Sequence, residues 1–371
     1  VVVLVLCAVV VSWVVCLLAV RYATEHALRY DHSKPQRFHV GATPRLGGLG
    51  VVLGWVVSVW LVGVQFGYEQ SAKVDLHTLS PGWLLVAALP LVGAGLLEDF
   101  TQKLSAFVRL ACSTVAAVAI MALLDVRIDR LDIPALDAAL GATNLFWWLV
   151  TLAALVGLPH AFNIIDGYNG LAGTVTILIC LAIAHVALQV GDRELATFAM
   201  CLVGASVGFL LWNYPKGLIF AGDGGAYFWG VIVAVTSITL VQRHSLVSPW
   251  FPMLLLIYPV WETVFSMYRK LARGGSPGVA DALHFHQLIF RRIVREVFHD
   301  DEARRMLMRN NRTSPYLWGF TLLTVVPAVL FWNNTPVLMG FCLLFVCTYV
   351  PAYLMIVRFK VPRWIRRGRD R

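Results

Sequence analysis

Long apolar runs recur along the chain with only short polar interruptions. Near residues 1–20, 46–66, 82–97, 106–124, 143–162, 171–190, 195–212, 225–241, 250–268, 316–333 and 335–357 they approach or reach the length of a bilayer-crossing helix. Hydrocarbon offers peptide groups no partner, so such runs must satisfy their backbones internally, as helices. The pattern predicts an all-α, polytopic integral membrane protein of about eleven transmembrane helices, or about ten if the short run at 82–97 does not cross.

Composition narrows the class. Of 371 residues, 59% are hydrophobic and only 14% charged, which excludes a water-soluble globule. No repeat or low-complexity tract divides the chain, so residues 1–371 read as one membrane domain with a loop at about 269–315 and a basic tail at about 358–371. Within that loop IFRRIVREVFHDDEARRMLMRN has helical spacing, and serves either as a basic interfacial helix or as a cap over a site. The seven cysteines all lie in apolar runs, without metal-binding spacing, and read as packing residues.

Charge sets the orientation. An odd number of spans puts the termini on opposite sides, and all Lys and Arg except Lys73, Arg127, Arg130, Arg193 and Arg243 fall on one side. By the positive-inside rule that side is cytoplasmic, so the N-terminus is outside and the C-terminus cytoplasmic. The net charge of +9 is then mainly a topology signal, with a secondary attraction for anionic lipid or phosphorylated substrates. No recognition motif accompanies it, so it is not a nucleic-acid footprint.

The polar residues with chemical potential collect in the loops on that basic side. DHSKPQRFHVGATPRLGG carries Lys34, Arg37 and His39 ahead of a Gly47–Gly48 pair, suited to phosphate binding or to an ordinary basic loop. Glu98 and Asp99 close the third run, and Arg109 opens the next. Adjacent carboxylates recruit a divalent cation, or merely end an apolar segment. NIIDGYNGLAG sets Asn163, Asp166 and Asn169 three residues apart, on one face if the helical turn continues. Such a set suits magnesium or a nucleobase, and equally a plain turn. Asp223 stands among Gly222, Gly224 and Gly225 at a helix start, where free amides cradle phosphate and a carboxylate holds its counter-cation or caps the helix. Glu262 is an ionisable group inside an apolar run, and His284 and His286 follow in DALHFHQL. Two histidines without a third ligand make a poor zinc site, so anion contacts fit them better.

Taken in order, D…RFH…TPRLGG, ED…LS…R, NIIDGYNGLAG, FAGDGG and DALHFHQL resemble the polyprenyl-phosphate N-acetylhexosamine-1-phosphate transferase family, which includes the phospho-MurNAc-pentapeptide transferase. The resemblance implies transfer of a sugar 1-phosphate from a UDP-N-acetylhexosamine-type donor to undecaprenyl phosphate, with release of UMP. It implies Mg²⁺, with Mn²⁺ as a substitute. Through it Asp223 is the metal aspartate, Asn163 a second metal contact and Asn169 the uracil contact, with Asp166 beside it on the same loop. Glu98 and Asp99 match the catalytic acidic pair near the lipid phosphate, Arg109 its basic partner after a one-residue spacing change, and His284 and His286 the histidine motif. Lys34, Arg37 and His39 fall in the family's basic substrate loop, and Glu262 replaces a common aspartate.

Three departures, Glu98 in an Asp-Asp pair, Gln287 for a second adjacent histidine, and Gln36 with Phe38 in the basic loop, bear on subtype rather than family. The implied setting is the bacterial inner membrane with the site facing the cytoplasm, initiating a lipid-linked glycan such as O-antigen. Direct attack and a covalent carboxylate intermediate are both open at this level, and a homodimer face would be indistinguishable from any other apolar helix surface. An ion-coupled secondary transporter is the rival class, but it requires functional charges near the midplane, where only Glu262 lies.

Overall fold

In the computed structural model the apolar runs fold as helices joined by short connections. They are α1 (Val2–Tyr22), α2 (Thr24–Ala27), α3 (Gly47–Phe66), α4 (Pro81–Thr101), α5 (Ala106–Leu124), α6 (Pro134–Leu140), α7 (Asn144–Ile165) and α8 (Leu171–Gln189). There follow α9 (Arg193–Asn213), α10 (Gly222–Arg243), α11 (Trp250–Leu255), α12 (Ile257–Leu271), α13 (Phe285–Leu288), α14 (Glu302–Leu330) and α15 (Thr335–Val357). A π-helical turn, Ile289–Ile293, continues α13. The structure describes residues 1–28, 43–66, 79–140, 144–274, 283–294 and 299–358.

Among the described residues nine helices are long and apolar enough to cross a bilayer: α1, α4, α5, α7, α8, α9, α10, α14 and α15. The protein is therefore an all-α polytopic membrane protein. α3 opens with a further apolar stretch, Gly47–Leu61. The expected span at 250–268 is instead broken at Leu256 into α11 and α12. Pro259 lacks the N–H that would bond the Leu255 carbonyl, which accounts for the break.

α10 is the axis of the bundle and is buried along its whole apolar window. Small residues let its neighbours approach backbone to backbone, as membrane helices do without a hydrophobic drive to pack. A Cβ on Gly48 would lie 2.6 Å from Gly225 Cα, and one on Gly95 would lie 2.7 Å from Gly224 Cα. These contacts bring the start of α3 and the end of α4 against the first turn of α10. On α7, Pro159 packs against Gly230, where a Cβ would meet Pro159 N at 2.6 Å. The buried indoles Trp55 and Trp229 donate to Phe198 O (3.0 Å) and Ser206 Oγ (2.9 Å), so their polar edges are satisfied inside the bundle.

α14 departs from the sequence expectation. Its 29 residues extend to about 43 Å, against a hydrocarbon core of about 30 Å. Its polar first half, expected within a loop ending near 315, is continuous with the transmembrane half and folds onto the turn between α7 and α8. The interfacial reading of 289–310 is thereby corrected for its helical end, because Asn310 is buried against protein.

Candidate functional site

The site is built around the first turn of α10. Gly222 has φ +75°, and an added Cβ there would meet Asp99 Cγ at 2.5 Å, so only glycine fits. The preceding strand of chain is fixed by backbone bonds: Phe220 N to Pro44 O (2.9 Å), Gly47 N to Phe220 O (2.9 Å) and Gly48 N to Ala221 O (2.8 Å). TPRLGG and FAGDGG, remote in sequence, therefore form one unit.

Free amides at a helix start need acceptors. Asp99, 2% exposed at the end of α4, supplies them: Oδ1 accepts from Asp223 N at 2.8 Å and Oδ2 from Gly224 N at 2.9 Å. The Asp223 side chain is 17% exposed. Its Oδ1 accepts from Asn163 Nδ2 at 2.8 Å, its Oδ2 pairs with the Arg109 guanidinium, and Tyr227 OH stands 3.5 Å from Oδ2. The α4–α5 connection is tight because Glu98 Oε2 accepts from Leu104 N (2.8 Å) and Ser105 caps α5 by accepting from Val108 N (3.3 Å). That tightness delivers Arg109, in the first turn of α5, to Asp223. Below the pair, His160 Nε2 meets Ser113 Oγ at 3.1 Å and its ring stands edge-on to Tyr227 at 5.1 Å.

Asp166 follows α7 in the turn leading to α8. Burial, reinforced by the Asp223 carboxylate and opposed by Arg45, pushes its carboxyl up to about 7. Asp166 thus lies close enough to Asp223 to feel its charge, with the Arg109 guanidinium paired to Asp223.

This geometry can be set beside known proteins. A model of glycosyl transferase family 4 matches residues 82–241, the stretch that carries Asp99, Arg109, Asn163, Asp166 and Asp223. Over this stretch the chain is similar to that family. A probable undecaprenyl-phosphate N-acetylglucosaminyl 1-phosphate transferase of Bacillus subtilis is 27% identical over 288 residues, covering 75% of this chain and 76% of the relative. The undecaprenyl-phosphate alpha-N-acetylglucosaminyl 1-phosphate transferase of Escherichia coli K12 is 27% identical over 271 residues, 70% of this chain and 69% of the relative. A phospho-N-acetylmuramoyl-pentapeptide-transferase of Moorella thermoacetica is 32% identical over 215 residues, 56% of this chain and 64% of the relative.

The expected residues divide into those the fold gathers and those it does not. Asn163, Asp166, Arg109 and Asp223 come together. Asp99 accepts one backbone amide on each oxygen and so anchors the first turn of α10. Glu98 likewise holds the α4–α5 turn. Asn169, expected as the uracil contact, is 0% exposed, and its Nδ2 donates to Asn311 Oδ1 at 3.0 Å. Lys34, Arg37 and His39 lie outside the described residues.

The histidine motif has its own foundation. Buried Glu262 accepts from His284 Nδ1 (3.1 Å), Phe285 N (2.8 Å) and Tyr349 OH (2.7 Å). It is an anchor for α13 rather than a coupling charge for transport. His284 stacks on His286 at 5.3 Å, and His286 Nε2 lies 3.3 Å from where a Cβ on Gly167 would be. The histidines are thus brought beside Asp166, although both are mostly enclosed.

Whether the residues fit the implied divalent cation is decided by the donor set. Among the described residues no three His, Cys, Asp or Glu side chains converge as a self-contained metal cage. Magnesium ordinarily takes only one or two carboxylates and completes its shell with phosphate and water. Asp223 and Asp166, whose mutual repulsion a cation would relieve, with the Asn163 amide adjacent, fit that pattern. His160 and Tyr227 were missed by sequence reasoning. The signal was available: His160 is polar within an apolar run, three residues before Asn163 on the same helical face.

Proposed function

We propose that this chain transfers an N-acetylhexosamine 1-phosphate from a UDP-sugar to undecaprenyl phosphate, giving the lipid diphosphate sugar and UMP. The observation that carries the reading is Asp223, fixed through its own backbone amide by Asp99 and bonded by Asn163 and Arg109, with Asp166 near enough to feel its charge. Its place at the end of membrane helices suits a water-soluble donor meeting a lipid acceptor. Positive-inside charge supports a cytoplasmic site in a bacterial inner membrane. Similarity to GlcNAc-1-phosphate transferases favours UDP-GlcNAc as the first donor to test, and a product that starts a surface glycan such as O-antigen.

An oxygen of the lipid phosphate attacks the β-phosphorus of the donor, the bond to the bridging oxygen breaks, and UMP leaves with that oxygen. A phosphate monoester has its second pKa near about 6, so much of the acceptor is already a dianion at neutral pH and no strong base is required. Placement and charge neutralisation carry such a transfer. Arg109 supplies a guanidinium at the boundary, and Asn163 orients the Asp223 carboxylate. Asp223, Asp166 and Asn163 would hold Mg²⁺, which supplies neutralisation of the diphosphate charge. Asp223→Asn tests the assignment: it should abolish metal-dependent transfer in a chain that still folds, and near-normal transfer would refute it.

A further inference from the structure

Gly170 leaves the helical path with φ +73° in the turn between α7 and α8, so Asn169 N, Asn169 O and Gly170 N take partners outside the two helices, while Gly170 O accepts from Thr174 N of α8 (3.2 Å) and from a second donor besides. Most of the outside partners come from one face of α14. Asn169 N donates to Asn310 Oδ1 (2.8 Å), Ser314 Oγ donates to Asn169 O (2.6 Å), and Trp318 Nε1 donates to Gly170 O (3.0 Å). The spacing 310, 314 and 318 repeats every four residues, so the three stand in a row on the helix. Gly170 N is taken by Asn213 Oδ1 of α9 at 2.6 Å.

Asn311 adds an oriented link. Its Nδ2 donates to Pro215 O at 2.6 Å, and a carbonyl can only accept, so its Oδ1 is turned to receive Asn169 Nδ2 at 3.0 Å. One residue earlier, Arg309 reaches the other substrate-side segment. It donates through Nε to Val294 O (2.9 Å) and through its guanidinium to Phe290 O (3.0 Å), and lies 4.4 Å over the Phe290 ring. Phe290 packs on Tyr168 at 5.4 Å, and Tyr168 on His286 at 5.6 Å. A buried polar row is costly in a membrane protein unless every member is used, and here it joins two loops. None of it lies in the 82–241 stretch that carries the family match.

We propose that the Arg309–Trp318 turn of α14 is a positioning element for the donor site. It holds the Asp166–Gly170 turn and the His284–Val294 segment in fixed relation to Asp223, so that donor capture depends on it more than the transfer step does. This rests on the function proposed above. Its residues touch the loops, not the substrate.

The test uses the full chain in detergent or nanodiscs with UDP-GlcNAc, undecaprenyl phosphate and Mg²⁺. Asn310→Ala should raise the donor KM about tenfold, the scale of one lost buried hydrogen bond, with kcat and the acceptor KM changed less than about twofold. Asn310→Asp, which keeps the acceptor for Asn169 N, should restore the donor KM. Ser314→Ala is the second variant and should move the same constant if Asn310→Ala does not fold. Equal losses in kcat and both KM values, without rescue by Asn310→Asp, would overturn positioning in favour of a general packing role. An unchanged donor KM in both folded variants would overturn it while leaving the function standing. Absence of transfer by the unmodified chain with any UDP-sugar would overturn the function and this proposal together.

Discussion

Replacing Asp99 by Asn separates an anchor from a catalytic acid. The carboxylate accepts two backbone N–H groups, from Asp223 at 2.8 Å and Gly224 at 2.9 Å, in a position 2% exposed. An amide offers one oxygen, so one bond is lost and an NH₂ is turned toward an N–H. A hydrogen bond to a charged group contributes about 1.5–3 kcal/mol, and a buried donor left unpaired costs about 1–3 more, so roughly 2.5–6 kcal/mol is expected from the folded state. Relief of repulsion from Asp223 offsets part of this. If about 3 kcal/mol of that loss is expressed as misplacement of Asp223, kcat/KM falls about 100-fold. Thermal unfolding in detergent and transfer of labelled sugar phosphate should therefore fall together, and raising the pH should not restore activity. Lost activity with unchanged or raised thermal stability, or recovery of transfer at high pH, would refute the anchor and return Asp99 to the role of proton acceptor.

Further outcomes follow from other parts of the fold. Gly48→Ala puts a Cβ 2.6 Å from Gly225 Cα, where only backbone can yield, so thermal stability should drop by about 1–3 kcal/mol with loss of transfer; a neutral effect would contradict the packing. Glu262→Gln removes an acceptor from the set His284, Phe285 N and Tyr349, and should lower stability by about 1–3 kcal/mol while leaving ion gradients without effect on the protein; gradient-dependent uptake in vesicles would favour transport instead. Asp192 is raised by burial but lowered more by Leu195 N, His244 and Arg243, so its folded pKa lies below its usual value. Its stabilisation is full above the ordinary aspartate range and is lost as pH falls through the lowered value. Asp192→Asn should flatten stability against pH below about 4, and an unchanged acid profile would remove this group from the account.

Most of the bundle was legible in the chain because bilayer-length apolar runs admit one backbone solution. The broken span at 250–268 was readable only in part: Pro259 marks a fault, but the division at Leu256 depends on packing. The site was legible as a set of motifs and less so as roles. Asn163 and Arg109 meet at Asp223, from three separate motifs of the chain. The backbone and side-chain partners of Asp99 and Asn169 are not written in their local sequence. Whether a carboxylate meets a ligand or a neighbouring backbone amide is decided by the close approach of α4 to α10. The polar row Asn310, Asn311 and Ser314 went unread, because its partner, the turn at Asn169 and Gly170, is about 140 residues away.

The central claim is met most directly by following UMP release from the purified chain. Release should require UDP-GlcNAc or another UDP-sugar, undecaprenyl phosphate and Mg²⁺ together, should yield one lipid diphosphate sugar per UMP, and should vanish in Asp223→Asn. UMP release without the lipid acceptor, or undiminished release in Asp223→Asn, would contradict it.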